Sequence, residues 1–175
     1  MSSLSRLTTE YIEAEDRIRV TGELPAPTGE DSPRTVVLWL TQRLLNRLLP
    51  HLLQWLERHD VPQGWDEVVQ GFAQQAAVAA LPAQAPVRSA PESRAWLVQS
   101  LQLTCTPESV QLGFQAAAAE DAPPADLVLQ AQALRQWLNI VYDLYVRASW
   151  PLALWPQWLV EARQPAPARP AALLH

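Results

Sequence analysis

The stretch from Asp126 to Trp150 constrains the possible folds of this chain more than any other part of the sequence. Its apolar residues recur at spacings of three and four along two neighbouring lines, which predicts one long α-helix. The polar residues share one narrow line: Gln132, Gln136, Asn139, Asp143 and Arg147. Because a surface helix normally buries only about a third to a half of its circumference, this helix is expected at the centre of the core or in a protein–protein contact.

A tryptophan-rich segment, residues 150–159, follows the predicted helix. It can pack back onto its own domain, contact a partner protein, or lie at a membrane interface, and the lack of basic residues beside it disfavours the membrane. The candidate partner-contact residues are the large aromatic side chains of the helix and of this segment: Trp137, Tyr145, Trp150, Trp155 and Trp158.

Length and composition are typical of one packed domain. The chain has 175 residues, 49% of them hydrophobic, and a formal charge of −5. We predict a single α+β domain over residues 1–160 and a disordered tail rich in proline and alanine over residues 161–175. No basic run is evident in the sequence, which argues against a nucleic-acid partner.

The cellular location is predicted from three negative observations. Cys105 is the single cysteine, so the chain can form no internal disulfide bond, in agreement with a reducing compartment. The first residues lack the basic and apolar regions of a signal peptide, and no apolar run is long enough to cross a membrane. We therefore expect a soluble bacterial protein of the cytoplasm.

Two hairpins and one further strand are predicted from alternating apolar residues. The first hairpin joins residues 9–14 to residues 17–21 through a turn at Glu15–Asp16, with Ile18 and Val20 inside. The second hairpin turns at residues 106–109 and should bury one face: Leu101, Leu103, Cys105, Val110, Leu112 and Phe114. The β-branched run Thr35–Leu40 favours a buried strand, although a helix starting at Ser32 is an alternative.

Two helices are predicted between the hairpins. Thr41 can cap a helix that carries a double line of leucines to His59 and contains Pro50. A second helix should run from about Asp60 to Leu81, and its predicted inward face consists of Trp65, Val68, Val69, Phe72, Ala76 and Ala80. Three prolines make residues 82–93 a candidate mobile linker.

The resulting order is ββ(β)αα-ββ-α, which predicts an α+β fold with an antiparallel sheet of four to five strands packed on helices. Each of the two hairpins is followed by a helix, and this hints at a structural duplication without a sequence repeat. In composition and element types the chain resembles the type III secretion chaperones, but no motif is shared and no residue role is carried over.

Catalytic motifs are missing from the sequence. His51 and His59 are about 12 Å apart along one helix, too far to share a metal on their own. His59 does lie near Asp60, Asp66 and Glu67 in sequence, but a histidine that complements a helix dipole is the simpler interpretation. We therefore predict no catalytic residue, no metal and no cofactor.

The function predicted from these observations is a non-catalytic protein-interaction or adaptor module that forms a homodimer. The expected contact surface is the long helix together with residues 150–159. The alternative is an enzyme or small-ligand-binding protein with a pocket between the sheet and the helices.

Overall fold

A computed structural model of the chain describes residues 2–26, 33–59, 66–117 and 125–163. These residues form an α+β fold in which most strand pairs are antiparallel, as predicted. The strands are β1 (Ser2–Ser3), β2 (Arg6–Ile12), β3 (Arg17–Leu24), β4 (Arg34–Leu40), β5 (Arg94–Leu97), β6 (Ser100–Cys105), β7 (Ser109–Gln115) and β8 (Ala125–Gln130). The α-helices are α1 (Gln42–His59), α2 (Asp66–Ala79), α3 (Ala131–Arg147) and α4 (Gln157–Glu161).

The strands are divided between two four-stranded sheets, where the sequence predicted one sheet of four to five strands. The first sheet has the order β2-β3-β4-β5 and the second has the order β1-β8-β7-β6. Apolar side chains from both sheets join those of α1 and α3 in one continuous core. Each sheet consists of three antiparallel strands with a short fourth strand added in parallel at one edge.

The predicted hairpins and the strand at Thr35–Leu40 are confirmed. In the first hairpin a short 3-10 turn, Glu13–Glu15, connects the strands. Asp16 follows it with a φ of 47°, in the left-handed region, and leads into β3. After β4, the Thr41 hydroxyl accepts a hydrogen bond from the Leu44 N–H at 3.2 Å, so Thr41 caps α1 as predicted. The alternative helix starting at Ser32 is wrong.

The prediction of one helix from Asp126 to Trp150 is wrong at its N-terminal end. Residues Ala125–Gln130 form β8, and α3 begins at Ala131. Leu127 and Leu129 are two residues apart and lie opposite Leu112 and Val110 of β7, which places them on the inner face of the second sheet. A short apolar run is compatible with both helical and strand spacing. Residues 125–130 form a strand because they pair with β7.

The two halves of the described fold repeat one arrangement. The series β2-β3-β4-α1 and β6-β7-β8-α3 each consist of three antiparallel strands followed by a helix. Each half also supplies its preceding short strand to the sheet of the other half, because β1 pairs with β8 and β5 pairs with β4. The predicted duplication is therefore present as a reciprocal strand exchange.

Backbone hydrogen bonds at the two exchange points correspond to one another. Leu4 N–H donates to the Asp126 carbonyl in the second sheet, at 2.7 Å, and the next residue, Ser5, donates to Glu23 in the first sheet. In the other half, Val98 N–H donates to Trp39 in the first sheet at 3.0 Å, and the next residue, Gln99, donates to Gln115 in the second sheet. Each long helix also contacts the other half of the molecule: α3 contacts β2, and α1 contacts β6.

Residues 82–93, the predicted mobile linker, make specific contacts with the first sheet. Val87 is buried and its N–H donates to the Thr8 hydroxyl at 2.7 Å. Ala90 N–H donates to the Thr35 hydroxyl at 3.3 Å. We call residues 85–90 the strap, because they run across the outer face of the first sheet from β2 to β4.

In the ranges that the structure describes, no helix is both long enough and apolar enough to cross a lipid bilayer.

Candidate interaction surface

Helix α2 is attached to the rest of the molecule through buried glutamines. The side-chain amide of Gln70 donates to the Leu56 carbonyl of α1 at 3.2 Å, and that of Gln74 donates to the Arg135 carbonyl of α3 at 3.0 Å. Both side chains are almost completely inaccessible to solvent. Most buried polar groups in folded proteins are hydrogen-bonded, and these two amide contacts fix which face of α2 points inward.

Arg135 is the centre of this attachment and is only 1% exposed. Its guanidinium donates to Gln70 Oε1 and, at 3.4 Å, to the Gln70 carbonyl. Its Cζ also lies 5.4 Å from the ring centroid of Trp158 in α4, within cation–π range. The sequence analysis missed Arg135, because an arginine between a leucine and a glutamine on an apolar helix has no distinctive local pattern.

The opposite side of α2 presents apolar side chains to solvent. Val68 and Phe72 are each 66% exposed, and Ala76 and Ala79 on the same helical line are also exposed. We call these four residues the exposed α2 face. Apolar residues at this spacing normally mark the buried side of a helix. In α2 the apolar side faces solvent, and the side that carries Gln70 and Gln74 faces the core.

The predicted inward face of α2 is therefore wrong at most of its positions. Val68, Phe72, Ala76 and Ala80 are exposed, Val69 is partly buried, and Trp65 lies outside the described residues. The buried positions are Gln70, Gln74 and Ala77. Helical periodicity predicts which residues form an apolar line. It does not predict whether the chain's own core or another molecule covers that line.

The five aromatic residues predicted to contact a partner are all buried in the chain's own core. Trp150 Nε1 donates to Asp16 Oδ1 at 3.0 Å, and the Tyr145 hydroxyl donates to Asn46 Oδ1 at 2.8 Å. Burial raises the pKa of the Tyr145 hydroxyl. A partner contact through these side chains stays a prediction, and it would require residues 150–159 to detach from the domain.

Edge-to-face ring contacts hold residues 150–159 against α3. The Tyr145 ring lies 5.0 Å from Trp150 and 5.3 Å from Trp155, measured between centroids and at nearly perpendicular angles. Beyond α4, the guanidinium of Arg163 bonds to Asn139 and lies 4.9 Å from the ring centroid of Tyr142. Such contacts stabilise aromatic pairs by about 0.5–1.5 kcal/mol beyond the area they bury.

Hydrogen bonds from two further tryptophans, one in α3 and one in α4, continue this attachment. Trp137 Nε1 donates to the Thr9 hydroxyl of β2 at 3.2 Å, and Trp158 Nε1 donates to Glu57 of α1 at 3.3 Å. The Tyr11 hydroxyl also donates to Asp16 Oδ1, and this hydrogen bond is the largest cause of the raised pKa of Tyr11. The Tyr11 ring contacts the Trp150 ring edge to face. These aromatic residues of the second half are thus hydrogen-bonded to the first hairpin and to α1 of the first half.

The second hairpin is confirmed, with one correction at its end. Val110, Leu112 and Phe114 are buried, and Leu101 and Leu103 are partly buried. Cys105, the last residue of β6, was predicted as a small core residue and is exposed.

His59 belongs to no metal-binding group among the residues whose side chains are described. Its Nδ1 lies 3.0 Å from the Trp55 carbonyl, and its ring stacks on the Trp55 ring at 5.5 Å between centroids. No cluster of three or more histidine, cysteine, aspartate or glutamate residues occurs in the described part of the chain. Asp60 and the side chain of Asp66 lie outside it.

An open cavity of about 480 Å³ lies beside His59. Trp55 and His59 of α1, the β6–β7 turn and the start of α3 line it: Pro107, Glu108, Gln130, Ala131 and Gln132. A second cavity, of about 360 Å³, lies between the first hairpin and the end of α3. Both open to solvent at the end of a hairpin, and neither brings together a nucleophile and a base within hydrogen-bonding distance.

Comparison with known proteins gives no assignment, since no protein-family model, no curated protein and no solved structure matches this chain.

Proposed function

We propose that this chain is a non-catalytic protein-interaction or adaptor module that forms a homodimer through the exposed α2 face. The observation that supports this proposal is the exposure of Val68 and Phe72, each 66%, on a helix that buries glutamines. Single exposed apolar residues are common on monomers, but an apolar line along a helix is typical of a contact surface.

The arrangement of residue sizes on this face favours a second copy of the chain as the partner. Its larger side chains, Val68 and Phe72, are in the N-terminal half of α2, and its small ones, Ala76 and Ala79, are in the C-terminal half. In an antiparallel pair of α2 helices related by a twofold axis near Gln74, Phe72 of one copy would lie against Ala76 of the other. Val68 would then lie at the level of Ala80 of the other copy, next to Ala79.

Charge also permits this pairing. None of the four residues is ionisable, and the adjacent Gln75 is neutral. Like charges would therefore not face each other along the centre of the seam, whereas they would oppose a close twofold contact of a charged helix.

The test is a change of mass on introducing a charge into the seam. Light scattering of the wild type at micromolar concentration should give twice the chain mass of 19.5 kDa. Phe72→Asp should give the monomer mass, because each dimer would bury two carboxylates at its centre. The matched control is Val146→Asp on α3, where a valine that is 50% exposed lies away from α2, and it should stay dimeric.

Folding of the variants is checked by thermal unfolding at a concentration where the wild type is dissociated. Phe72 is mostly exposed in the chain itself, so Phe72→Asp should change the stability of the monomer by no more than about 0.5 kcal/mol. A wild type that gives the monomer mass at micromolar concentration, or a Phe72→Asp variant that dimerises like the wild type, would overturn the proposal.

A further inference from the structure

Strand β6 lies at an edge of the second sheet, and one side of its backbone has no partner strand among the described residues. On its other side it pairs with β7 in antiparallel register. Immediately after β6, the Thr106 N–H donates to the Ser109 carbonyl at 2.9 Å. Because hydrogen-bonded pairs alternate along an antiparallel ladder, the backbone groups that point away from β7 are those of Leu101, Leu103 and Cys105. We call these groups the free edge of β6.

The free edge of β6 is accessible and has none of the usual protection of an edge strand. Cys105 is exposed, and Leu101 and Leu103 are only partly buried. Outside the β6–β7 ladder, no backbone–backbone hydrogen bond in the described ranges involves these three residues. Edge strands are normally protected by charged residues or proline, and the sequence of β6, Ser-Leu-Gln-Leu-Thr-Cys, contains neither. Such an edge can pair along its length with another polypeptide backbone.

The edge strand of the first hairpin, β2, is protected. It carries the charged residues Arg6 and Glu10. The strap also lies against it, since Arg6 donates to the Ala85 carbonyl at 2.8 Å and the Val87 N–H donates to the Thr8 hydroxyl. Strand β6 is therefore the more accessible of the two edges.

A line of basic side chains runs along the solvent side of α1. We call it the basic line, and it consists of four exposed residues: Arg43, Arg47, His51 and Arg58. At 3.6 residues per turn and 1.5 Å per residue, they share an arc of about 80° and span about 22 Å. No ion pair among the described residues involves these three arginines. Glu57, the only acidic residue of α1, accepts a hydrogen bond from Trp158 instead.

The basic line lies on the side of α1 that is next to β6. Residues three and four apart are neighbours on a helix surface, so His51 and Arg58 flank Trp55. The Trp55 indole N–H donates to the Thr106 carbonyl, one residue beyond β6, at 2.8 Å. Helix α1 also contacts β6 itself. A chain that paired with the free edge of β6 would therefore pass beside the basic line.

The polar line of the other long helix, α3, is covered by the chain itself. The Gln136 amide donates to the Ala77 carbonyl of α2 at 2.8 Å, and Arg163 donates to the Asn139 carbonyl at 3.3 Å. The described residues make no such contact with the arginines of the basic line, which therefore remain available to another molecule.

We propose that the free edge of β6 and the basic line together bind an extended, acidic segment of a partner protein. The segment adds to the second sheet as a further strand, and its backbone pairs with Leu101, Leu103 and Cys105. Carboxylates on its alternate residues accept hydrogen bonds from the arginines of the basic line.

The two features together select this class of partner. A free strand edge offers backbone N–H and C=O groups in the spacing of a β-ladder, which a polypeptide matches and a nucleic acid does not. Exposed arginines then favour carboxylates on that polypeptide. The net charge of −5 does not oppose this, because at physiological ionic strength charges act over only about 8 Å and the basic line dominates locally.

The probe is the synthetic peptide Thr-Glu-Val-Glu-Val-Glu-Thr, acetylated and amidated at its ends and added to the ¹⁵N-labelled full chain. NMR detects binding even at a Kd of about 1 mM. We expect shifts concentrated at the amides of Leu101, Leu103 and Cys105 and along the basic line. The same peptide with glutamine in place of each glutamate should bind more weakly. The absence of shifts at millimolar acidic peptide, or shifts confined to the first sheet or to α2, would overturn the proposal.

Methylation of single backbone nitrogens in the peptide tests strand addition directly. Only alternate residues of an added strand turn their N–H groups toward β6. One of two peptides, methylated either at the central glutamate or at a neighbouring valine, should therefore lose binding while the other keeps it. Binding that survives both methylations, or is lost with both, would show that the peptide does not pair with the free edge.

Variants of the chain test the basic line. The double variant Arg47→Gln and Arg58→Gln should weaken binding of the acidic peptide about fivefold, because two exposed ion pairs are lost. The matched control is Arg147→Gln, which removes an exposed arginine from α3 beside the first hairpin and should bind as the wild type does. Equal affinity of the double variant and the wild type would contradict the role assigned to the basic line.

This surface is separate from the exposed α2 face, and the two proposals can fail independently. Phe72→Asp, which tests dimer formation, should leave peptide binding unchanged, and the double arginine variant should keep the mass of the wild type in light scattering. If the double arginine variant became monomeric instead, a second copy of the chain would be the occupant of this surface, and the proposal of an acidic partner segment would be wrong.

Discussion

Arg135 connects three helices through one buried guanidinium. It belongs to α3, bonds to Gln70 of α2, and lies over the Trp158 ring of α4. A buried charge is tolerated only where hydrogen bonds replace its lost hydration. The same bonds occupy the Gln70 side chain, so the orientation of α2 depends on this arginine.

Replacement of Arg135 by methionine is therefore expected to destabilise the protein by about 2–3 kcal/mol, because Gln70 Oε1 and the Gln70 carbonyl would lose their buried donor. Urea unfolding monitored by tryptophan fluorescence measures this change. Arg147→Met is the matched control, since it removes an exposed arginine from the same helix and should cost no more than about 0.5 kcal/mol. Equal midpoints for Arg135→Met and the wild type would show that α2 is held by other contacts.

At the scale of elements, two glycines have opposite environments. Gly22 in β3 lies against the Leu4 side chain, and a Cβ atom added there would be 2.6 Å from Leu4 Cδ2. Leu4 is a buried residue that follows the exchanged strand β1. Gly71 in α2 has only the Trp158 carbonyl within 4 Å of such an atom, at 3.9 Å. Gly22 is therefore required for close packing, whereas Gly71 is not.

We expect Gly22→Ala to destabilise the protein by about 1–3 kcal/mol, because the added methyl group must displace Leu4 in a packed core. Gly71→Ala should stabilise it by about 0.5–1 kcal/mol, since alanine has the higher helix propensity and meets no close neighbour. Thermal unfolding of the two variants beside the wild type checks both signs. A Gly22→Ala variant as stable as Gly71→Ala would mean that Leu4 is not anchored at β3.

At the scale of the whole molecule, reciprocal strand exchange joins the two halves. Each sheet contains a parallel edge strand from the other half, and each long helix contacts the hairpin of the other half. Trp55 of α1 donates to the Thr106 carbonyl at 2.8 Å, and Trp150, which follows α3, donates to Asp16. An indole N–H is therefore hydrogen-bonded to the turn of each hairpin. Neither half has a complete sheet or a complete core of its own.

The halves should therefore unfold in one cooperative transition and should not fold separately. Fragments 1–92 and 93–175, divided at an exposed position, are each expected to lack a cooperative thermal transition by circular dichroism. An equimolar mixture should regain the β-sheet signal and a single transition. A cooperative transition in either fragment alone would show that its half is an independent folding unit.

The two hairpins, the strand before α1 and the helix α1 were predicted from local pattern alone. Alternation of Val110, Leu112 and Phe114 defines one strand face, and the double line of leucines defines one side of α1. These patterns suffice to predict the two elements, because core-facing side chains recur every second residue in a strand and every three or four residues in a helix. Capping by Thr41 likewise depends on residues only three positions apart.

The surfaces proposed for function were decided by tertiary structure. The sequence marks Val68 and Phe72 as apolar, but the exposed α2 face exists because Gln70 and Gln74 bond to residues on α1 and α3. The aromatic residues expected at a partner contact became core because they bond to the first hairpin and to α1 and pack on one another. The close approach of Gln102 and Asp126 to Gly113 likewise requires the pairing of β6, β7 and β8.

The sequence by itself determined the α+β class, the two hairpins and the leucine face of α1, because period and turn residues act within a few positions. Only the tertiary structure decided that residues 125–130 form a strand, that β1 and β5 exchange between sheets, and which side of α2 faces solvent. Those outcomes depend on hydrogen bonds between residues far apart in the chain, such as Leu4 with Asp126 and Gln74 with Arg135. Local periodicity carries no information about such partners, since it records that a residue is apolar and not which surface covers it.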